Sequence, residues 1–286
     1  MAEGLLLRIL VTGAAGLLGN ALVRTAEDKG HDVLALTRSA LEVTDSGEVE
    51  RRLRAEKPEV VVHCAAYTAV DRAEEELDQA MSVNRDGTRN VAMAAAQIGA
   101  MLVYPSTDYV FNGRSDAPYG PDAETSPLNA YGVSKLAGEQ VLSVSGCSWM
   151  VVRTSWLYGS GGWDFVDVVL EQAARRSGMR VVDDQVGCPT WTGSLAPGIV
   201  ELVEAGMTGT YHLCDAGQAS WLELAQTVME EAGLNLELTA TSTHAWGAPA
   251  QRPPYSVLDC AEAERILGRE MTPWRESLHT YLSETL

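Results

Sequence analysis

Leu5-Leu-Leu-Arg8-Ile-Leu-Val11-Thr-Gly13-Ala-Ala-Gly16-Leu-Leu-Gly19 is the stretch whose reading decides the fold. Leu5 to Val11 is apolar apart from Arg8, the pattern of a strand buried on both faces. Glycines then recur at intervals of three, and Leu22, Val23 and Ala26 carry a helical pattern that ends near Gly30. Strand, glycine turn and helix in that order let a pyrophosphate approach the backbone at a helix N-terminus. Free N–H groups and the helix dipole favour an anion there. A glycine triplet alone is weak, but between a buried strand and a helix it points to a nucleotide rather than a structural turn.

Asp32 to Leu36 reads as a second strand. An acid near its end would bond ribose hydroxyls and mark a preference for NAD. Thr37-Arg38-Ser39 stands there instead, and an arginine flanked by hydroxyls suits a 2′-phosphate. NADP(H) is therefore expected, with NAD(H) as the alternative. Asp45-Ser-Gly-Glu48 forms a capping box ahead of a charged helix ending near Lys57. Glu59 to His63 is a third strand, and the small residues after Cys64 let a ligand lie close to the carboxyl edge of a sheet. A long helical stretch with Asn84 in its middle leads to a fourth strand, Met101 to Pro105, and Trp149 to Val152 reads as a fifth. This alternation implies an α/β fold with a doubly wound, Rossmann-type parallel sheet and right-handed crossovers.

Between the last two strands lies Ser126-Pro-Leu-Asn-Ala-Tyr131-Gly-Val-Ser-Lys135. Ser126 is read as a helix cap and Pro127 as a first-turn residue. Tyr131 and Lys135 then share one helix face, a turn apart. A free tyrosine, with a pKa near ~10, is a poor acid at neutral pH, and a fixed ammonium nearby lowers it. Such a phenol can protonate a carbonyl oxygen as hydride reaches the carbon. An ordinary amphipathic helix with a half-buried Tyr shows the same spacing. Against that stands the scarcity of lysine, which occurs only at Lys29, Lys57 and Lys135.

After Arg153 the rhythm changes. Gly159 to Gly162 is glycine-rich, and Pro189, Pro249, Pro253 and Pro254 mark loops. Ser220-Trp-Leu-Glu223 and Asp259-Cys-Ala-Glu262 read as capping boxes, and Thr272-Pro-Trp-Arg begins a last helix. The expected organisation is a nucleotide-binding domain over residues 1–155 and a smaller, mainly substrate-binding α/β portion over 156–286, partly interleaved with the sheet.

The formal charge of −18 and pI near 4.6 argue against nucleic acid or an anionic membrane as partners, since both call for a basic face. No apolar run reaches the ~18 residues of a spanning helix. The first residues carry an acid and run straight into a strand, unlike a signal peptide, so a cytoplasmic protein is expected. Cys64, Cys147, Cys188, Cys214 and Cys260 are scattered, with no Cys-x-x-Cys and no His at ligand spacing. They are expected to be reduced and mostly buried thiols, with no structural zinc.

Taken together, the strings Val-Thr-Gly-Ala-Ala-Gly-Leu-Leu-Gly, Ala-Ala-Tyr-Thr-Ala-Val-Asp-Arg-Ala-Glu, Ser-Thr-Asp-Tyr-Val-Phe-Asn-Gly, Ser-Pro-Leu-Asn-Ala-Tyr-Gly-Val-Ser-Lys-Leu-Ala-Gly-Glu, Arg-Thr-Ser-Trp-Leu-Tyr, Asp-Asp-Gln-Val-Gly-Cys-Pro-Thr and Arg-Pro-Pro-Tyr-Ser-Val-Leu-Asp resemble the dTDP-4-dehydrorhamnose reductase family of extended short-chain dehydrogenases/reductases. The resemblance covers nearly the whole chain. It implies NADPH-dependent reduction of the 4-keto group of a nucleotide-activated deoxysugar. The family's catalytic set falls on Thr107, Tyr131 and Lys135. Thr107 would bond the substrate carbonyl, Tyr131 protonate it, and Lys135 tune Tyr131 and hold the nicotinamide ribose.

Gly13, Gly16, Leu17, Leu18 and Gly19 match the pyrophosphate turn, and Arg38 falls at the 2′-phosphate. Glu42 and Val43 match the adenine contacts, with Glu in place of the family's Asp, and Cys64, Ala65, Ala66 and Tyr67 match the cofactor wall. Val70, Tyr109, Trp156 and Arg252 fall on substrate-facing positions; a core aromatic is the alternative for Trp156, and a fork to the diphosphate is the implied role of Arg252. Some members bind Mg²⁺ through a Glu just after the glycine turn; that position is Ala21 here, so no metal is expected. A monomer or homodimer is implied. The family also has regulatory relatives without catalysis, and a reductase of another ketone would use the same mechanism.

Overall fold

The computed structural model describes residues 6–175 and 178–286. Leu5, the first residue of the predicted opening strand, lies outside them; the strand itself, β1, is Arg8–Thr12. Then come helix α1 (Leu17–Asp28), β2 (Asp32–Leu36), α2 (Ser46–Glu56) and β3 (Val60–His63). Two helices follow, α3 (Leu77–Met81) and α4 (Thr88–Ile98), joined by a π-helical turn at Ser82–Gly87. β4 (Met101–Thr107), α5 (Ala130–Val144) and β5 (Ser148–Thr154) complete the alternation.

The six-stranded sheet is parallel throughout, in the order Gly209–His212, β5, β4, β3, β1, β2. Its sixth strand is contributed from deep in the second half of the chain, where Gly209 pairs with Met150. Alternation along β1 shows why the strand is apolar on both faces. Ile9 and Val11 pack with Leu18, Leu22 and Ala26 of α1 and with Leu195 and Ile199 of the helix Thr192–Glu204. Leu10 packs on the opposite face with Val49 and Leu53 of α2 and Val91 and Ala95 of α4. Chain order reverses at β1, with β2 on one side and β3 on the other, so a crevice opens between the carboxyl ends of β1 and β3.

A second core covers that carboxyl edge. Helices Phe165–Arg175, Trp221–Glu231 and Trp274–Thr285 bring Val166, Val169, Leu224, Val228, Trp274 and Leu278 together. Among the described residues no helix is long and apolar enough to cross a membrane.

Four capping expectations meet the structure differently. Asp45 and Ser220 accept from the N–H of Glu48 and Glu223, as a capping box requires. Ser126 does not cap α5. Its own N–H is spent on the Val110 carbonyl at 2.8 Å, and the extended Asn129 caps instead, accepting from Gly132 N–H at 2.7 Å. Asp259 likewise does not cap its helix. Cys260 holds that position, and the Asp259 carboxylate accepts from the Ala261 N–H two residues on.

Candidate active site

A groove of about 1260 Å³ runs along the carboxyl edge of the sheet. That exceeds the roughly 300–1,000 Å³ of a single small-molecule site, so two ligands fit end to end. Gly13, with φ +63°, forms its floor where β1 meets β3: a Cβ there would lie 2.6 Å from the Ala65 nitrogen. Gly16 precedes α1 in extended conformation and offers no capping side chain. The first-turn amides of α1 therefore stand open beside the groove, which Gly16, Leu17, Leu18 and Gly19 line. This bare helix start is built for a diphosphate.

The same wall continues through Arg38, Leu41, Glu42 and Val43 on one side and Cys64, Ala65, Ala66 and Tyr67 on the other. Arg38 is 82% exposed and its Nε lies 3.3 Å from the Glu42 carboxylate, so it turns to a 2′-phosphate at little cost. Asn84, in the π-helical turn, holds this wall to the reaction centre. Its side chain pairs with both the N–H and the carbonyl of Tyr67 and donates to Ser134 Oγ on α5. Local π-bulges of this kind recur at functional sites. The residues present therefore fit a dinucleotide.

The reaction centre lies where β4 ends and α5 begins. Gly132 lets the first turn of α5 press onto the Tyr109 carbonyl, a contact that a Cβ would forbid. Tyr131 thereby comes within reach of Thr107, whose hydroxyl favours the ionised phenol. Burial pushes the Tyr131 phenol well above its ordinary range, the Asp108 carboxylate pushes it further, and the Thr107 bond pulls it back. Lys135 is one turn on and buried. Its ammonium donates to the Pro105 carbonyl at 2.7 Å and sits 3.9 Å from the centroid of the Tyr104 ring. Burial lowers Lys135 to about 7, opposed by Glu139 and Cys64. The lowering of Tyr131 by Lys135 that the four-residue spacing implied is not among the influences on the phenol, because the ammonium is committed to Pro105 and burial dominates.

Thr107 Oγ1 donates to Asp108 Oδ1 at 3.1 Å, and Ser256 Oγ donates to Asp108 Oδ2 at 2.5 Å. Burial raises the Asp108 carboxyl to about 7, with the Ser256 and Thr107 bonds acting against it. Glu139 forms a buried fork with Arg153, with Nη2 to Oε2 at 2.8 Å, and accepts from Ser106 Oγ at 2.5 Å.

At the substrate end, Val70, Tyr109 and Trp156 line the groove. Tyr109 meets Tyr131 edge to face, with ring centroids 6.1 Å apart. Trp156 lines the groove and also stacks on Trp221, with centroids 3.6 Å apart. Arg252 is placed differently. Its two terminal nitrogens fork onto Asp71, it donates to the Ala250 carbonyl at 2.9 Å, and it hydrogen-bonds Tyr109. It is not part of the groove wall, whose basic side chains among the described residues are Arg38, Arg72 and Lys135.

Sequence reasoning passed over Asp108, Glu139, Ser256 and Trp221. Glu139 was findable, since it follows Lys135 at helical spacing; Ser256 and Trp221 meet the site only through the fold.

The sequence pattern of the family described as "RmlD substrate binding domain" matches residues 7–286. The dTDP-4-dehydrorhamnose reductase of Streptomyces griseus is 41% identical over 95% of this chain and 91% of its own length. The spore coat polysaccharide biosynthesis protein SpsK of Bacillus subtilis is 39% identical over 97% of each chain. The crystal structure of dTDP-4-dehydrorhamnose reductase from Bacillus anthracis in complex with NADP superposes with a TM-score of 0.95 at 37% identity, covering 98% of this chain and all of that one. With the pattern matched from end to end and relatives of this similarity over their full lengths, the chain belongs to the dTDP-4-dehydrorhamnose reductase family.

Proposed function

We propose that this protein is an NADPH-dependent reductase of the 4-keto group of a dTDP-activated deoxysugar, converting dTDP-4-dehydrorhamnose to dTDP-L-rhamnose or a close analogue. The observation that carries this reading is the meeting of buried Thr107, half-buried Tyr131 and buried Lys135 at the junction of a groove long enough for a dinucleotide and a sugar nucleotide. NADPH supplies hydride to the carbonyl carbon. Gly13, Gly16 and the α1 amides hold its diphosphate, Arg38 its 2′-phosphate, and Glu42 and Val43 flank its adenosine. NAD(H) fits the same backbone cradle without the Arg38 contact.

Burial keeps Tyr131 a phenol at neutral pH, so the proton is in place when the carbonyl oxygen gains charge. Thr107 turns its hydroxyl proton from Asp108 to that oxygen. Lys135, held by Pro105, is placed to hold the nicotinamide ribose. Val70, Tyr109 and Trp156 bound the sugar, and Arg72 is the groove-wall cation assigned to the substrate's diphosphate. Arg252 acts at one remove, by fixing Tyr109 and Asp71. Ala21 occupies the position where some relatives carry a metal-binding Glu, so we assign no metal to the reaction. We place the protein in the cytoplasm as a monomer or homodimer, without a nucleic-acid or membrane partner.

The test is NADPH consumption with dTDP-4-dehydrorhamnose against a panel of other nucleotide sugars and simple ketones. Turnover confined to the dTDP-4-keto sugars is expected. Turnover of simple ketones alone would reassign the substrate, and binding without turnover would make the protein a regulatory relative.

A further inference from the structure

Cys188, Cys214 and Cys260 are far apart in sequence and outside the groove, yet the fold lines them up. Cys214 Sγ lies 3.4 Å from Cys260 Sγ, and the Cys188 thiol lies close enough to Cys214 for each to shift the other's ionisation. Cys188 and Cys214 are 1% and 3% exposed, whereas Cys260 is half-buried and so opens the row to solvent. All three sit in one small core with Val257 and Leu258.

We propose that Cys214 and Cys260 are a reversible oxidation site, closing to a disulfide under a peroxide. The Cys260 thiolate attacks one peroxide oxygen, the O–O bond breaks, and the departing hydroxide takes a proton from solvent, leaving a sulfenic acid and water. Cys214 sulfur then displaces hydroxide from the Cys260 sulfur, losing its proton, so the S–S bond forms and a second water leaves. Two thiols are oxidised by two electrons and one peroxide is reduced. Sulfurs already in contact need to approach by little more than an ångström to reach the ~2.05 Å of a bond.

The site bears on the reaction centre through a short path. Cys260 is four residues from Ser256, whose hydroxyl holds Asp108 beside Thr107, and Ser256 N–H is fixed to the Val186 carbonyl two residues before Cys188. Drawing Cys260 inward pulls on the segment that carries Ser256. Its contacts with Cys188 and Cys260 and its burial push the Cys214 thiol up, which makes it the resolving rather than the attacking thiol. Burial pushes Cys64, the thiol at the cofactor wall, up to about 12, which leaves it a poor competitor.

The test treats the full-length protein with hydrogen peroxide, then blocks thiols, digests and maps peptides, with turnover followed in parallel. A linked pair of peptides carrying Cys214 and Cys260 is expected, with turnover falling severalfold and restored by dithiothreitol. Cys260→Ser and Cys260→Ala should keep the untreated rate and resist the loss. A Cys260 oxidised to sulfinic acid without any link, or a link through Cys147, would overturn the site. A linked protein with an unchanged rate would overturn its coupling to the reaction centre.

Discussion

The two ends of the groove recognise their ligands by different means. At the cofactor end the contacts are largely backbone: Gly13 pressed against Ala65 and the open amides of α1. At the reaction and substrate end they are side chains drawn from distant segments: Thr107 from β4, Tyr131 from α5, Trp156 stacked on Trp221, and Ser256 behind Asp108. A backbone cradle is written in one continuous stretch of glycines. A side-chain constellation exists only after the chain has folded.

The sharpest way to separate the ends is to remove one proton donor. Tyr131→Phe keeps the ring and its edge-to-face contact with Tyr109 but has no acid to give. kcat should fall by about 10²–10⁴, while NADPH affinity, measured by fluorescence titration, stays within a factor of about two of the wild type. A near-normal kcat would remove Tyr131 from the chemistry.

The side-chain end should also leave a signature in stability. Asp108 is raised from 3.8 to about 7, so between those values the folded state holds a proton that the unfolded state has released. Its contribution is therefore fully present below the unfolded value and is lost as pH rises through about 7. Asp108→Asn cannot lose that proton. Relative to wild type, its unfolding free energy in urea should gain of order 1–4 kcal/mol between pH 4 and pH 7. Parallel pH profiles for the two proteins would show that Asp108 titrates alike in the folded and unfolded states.

For the cradle, Gly13→Ala tests backbone recognition directly. A left-handed φ costs a non-glycine residue about 1–3 kcal/mol, and the new Cβ meets the Ala65 backbone, which has no rotamer with which to yield. Both melting temperature and NADPH affinity should fall, the affinity by tenfold or more. Unimpaired NADPH binding in the variant would contradict the close approach of β1 and β3.

These expectations also explain what was legible in the sequence. Every strand of the first half was foreseen within a few residues, because two-sided burial leaves a continuous apolar run and each helix begins after small or capping residues. The sixth strand was missed. Gly209–His212 is short, and only pairing with β5 makes it part of the sheet. The α5 cap was misplaced by three residues because Ser126 and Asn129 are equally good caps on paper, and only the Val110 carbonyl decides between them. Thr107, Tyr131 and Lys135 were legible as a set, whereas the commitment of Lys135 to Pro105 depends on a backbone carbonyl that no motif records.

Two arginines carry the comparison to finer scale. Arg38 is exposed, and its link to Glu42 is a surface pair that contributes ~0–1 kcal/mol. Exchanging that carboxylate for a 2′-phosphate is easy. Arg38→Ala should weaken NADPH by about 1.5 kcal/mol, the lower range for hydrogen bonds to charged groups, and leave NADH nearly unchanged. Equal losses for both cofactors would place Arg38 in the fold or against the shared part of the dinucleotide.

Arg252 is the opposite case. Its guanidinium is 19% exposed, forked onto Asp71, and hydrogen-bonded to Tyr109. The Arg252 bond is also the main influence holding the Asp71 carboxyl below its usual range. A phosphate would have to displace this fork, whereas a clasp that fixes Tyr109 needs it intact. The two roles diverge in Asp71→Asn. A phosphate-binding Arg252 would be freed by that change, and KM for the dTDP-sugar would fall. A clasp would be loosened, and KM would rise modestly, by the same factor in Asp71→Asn, Arg252→Ala and the double variant. The second pattern is expected, with a coupling of about 1 kcal/mol in the double-mutant cycle for unfolding. Arg252→Lys should behave like Arg252→Ala, because an ammonium cannot span both carboxylate oxygens and the Tyr109 hydroxyl at once. A lowered KM in Asp71→Asn would return Arg252 to the diphosphate in place of Arg72.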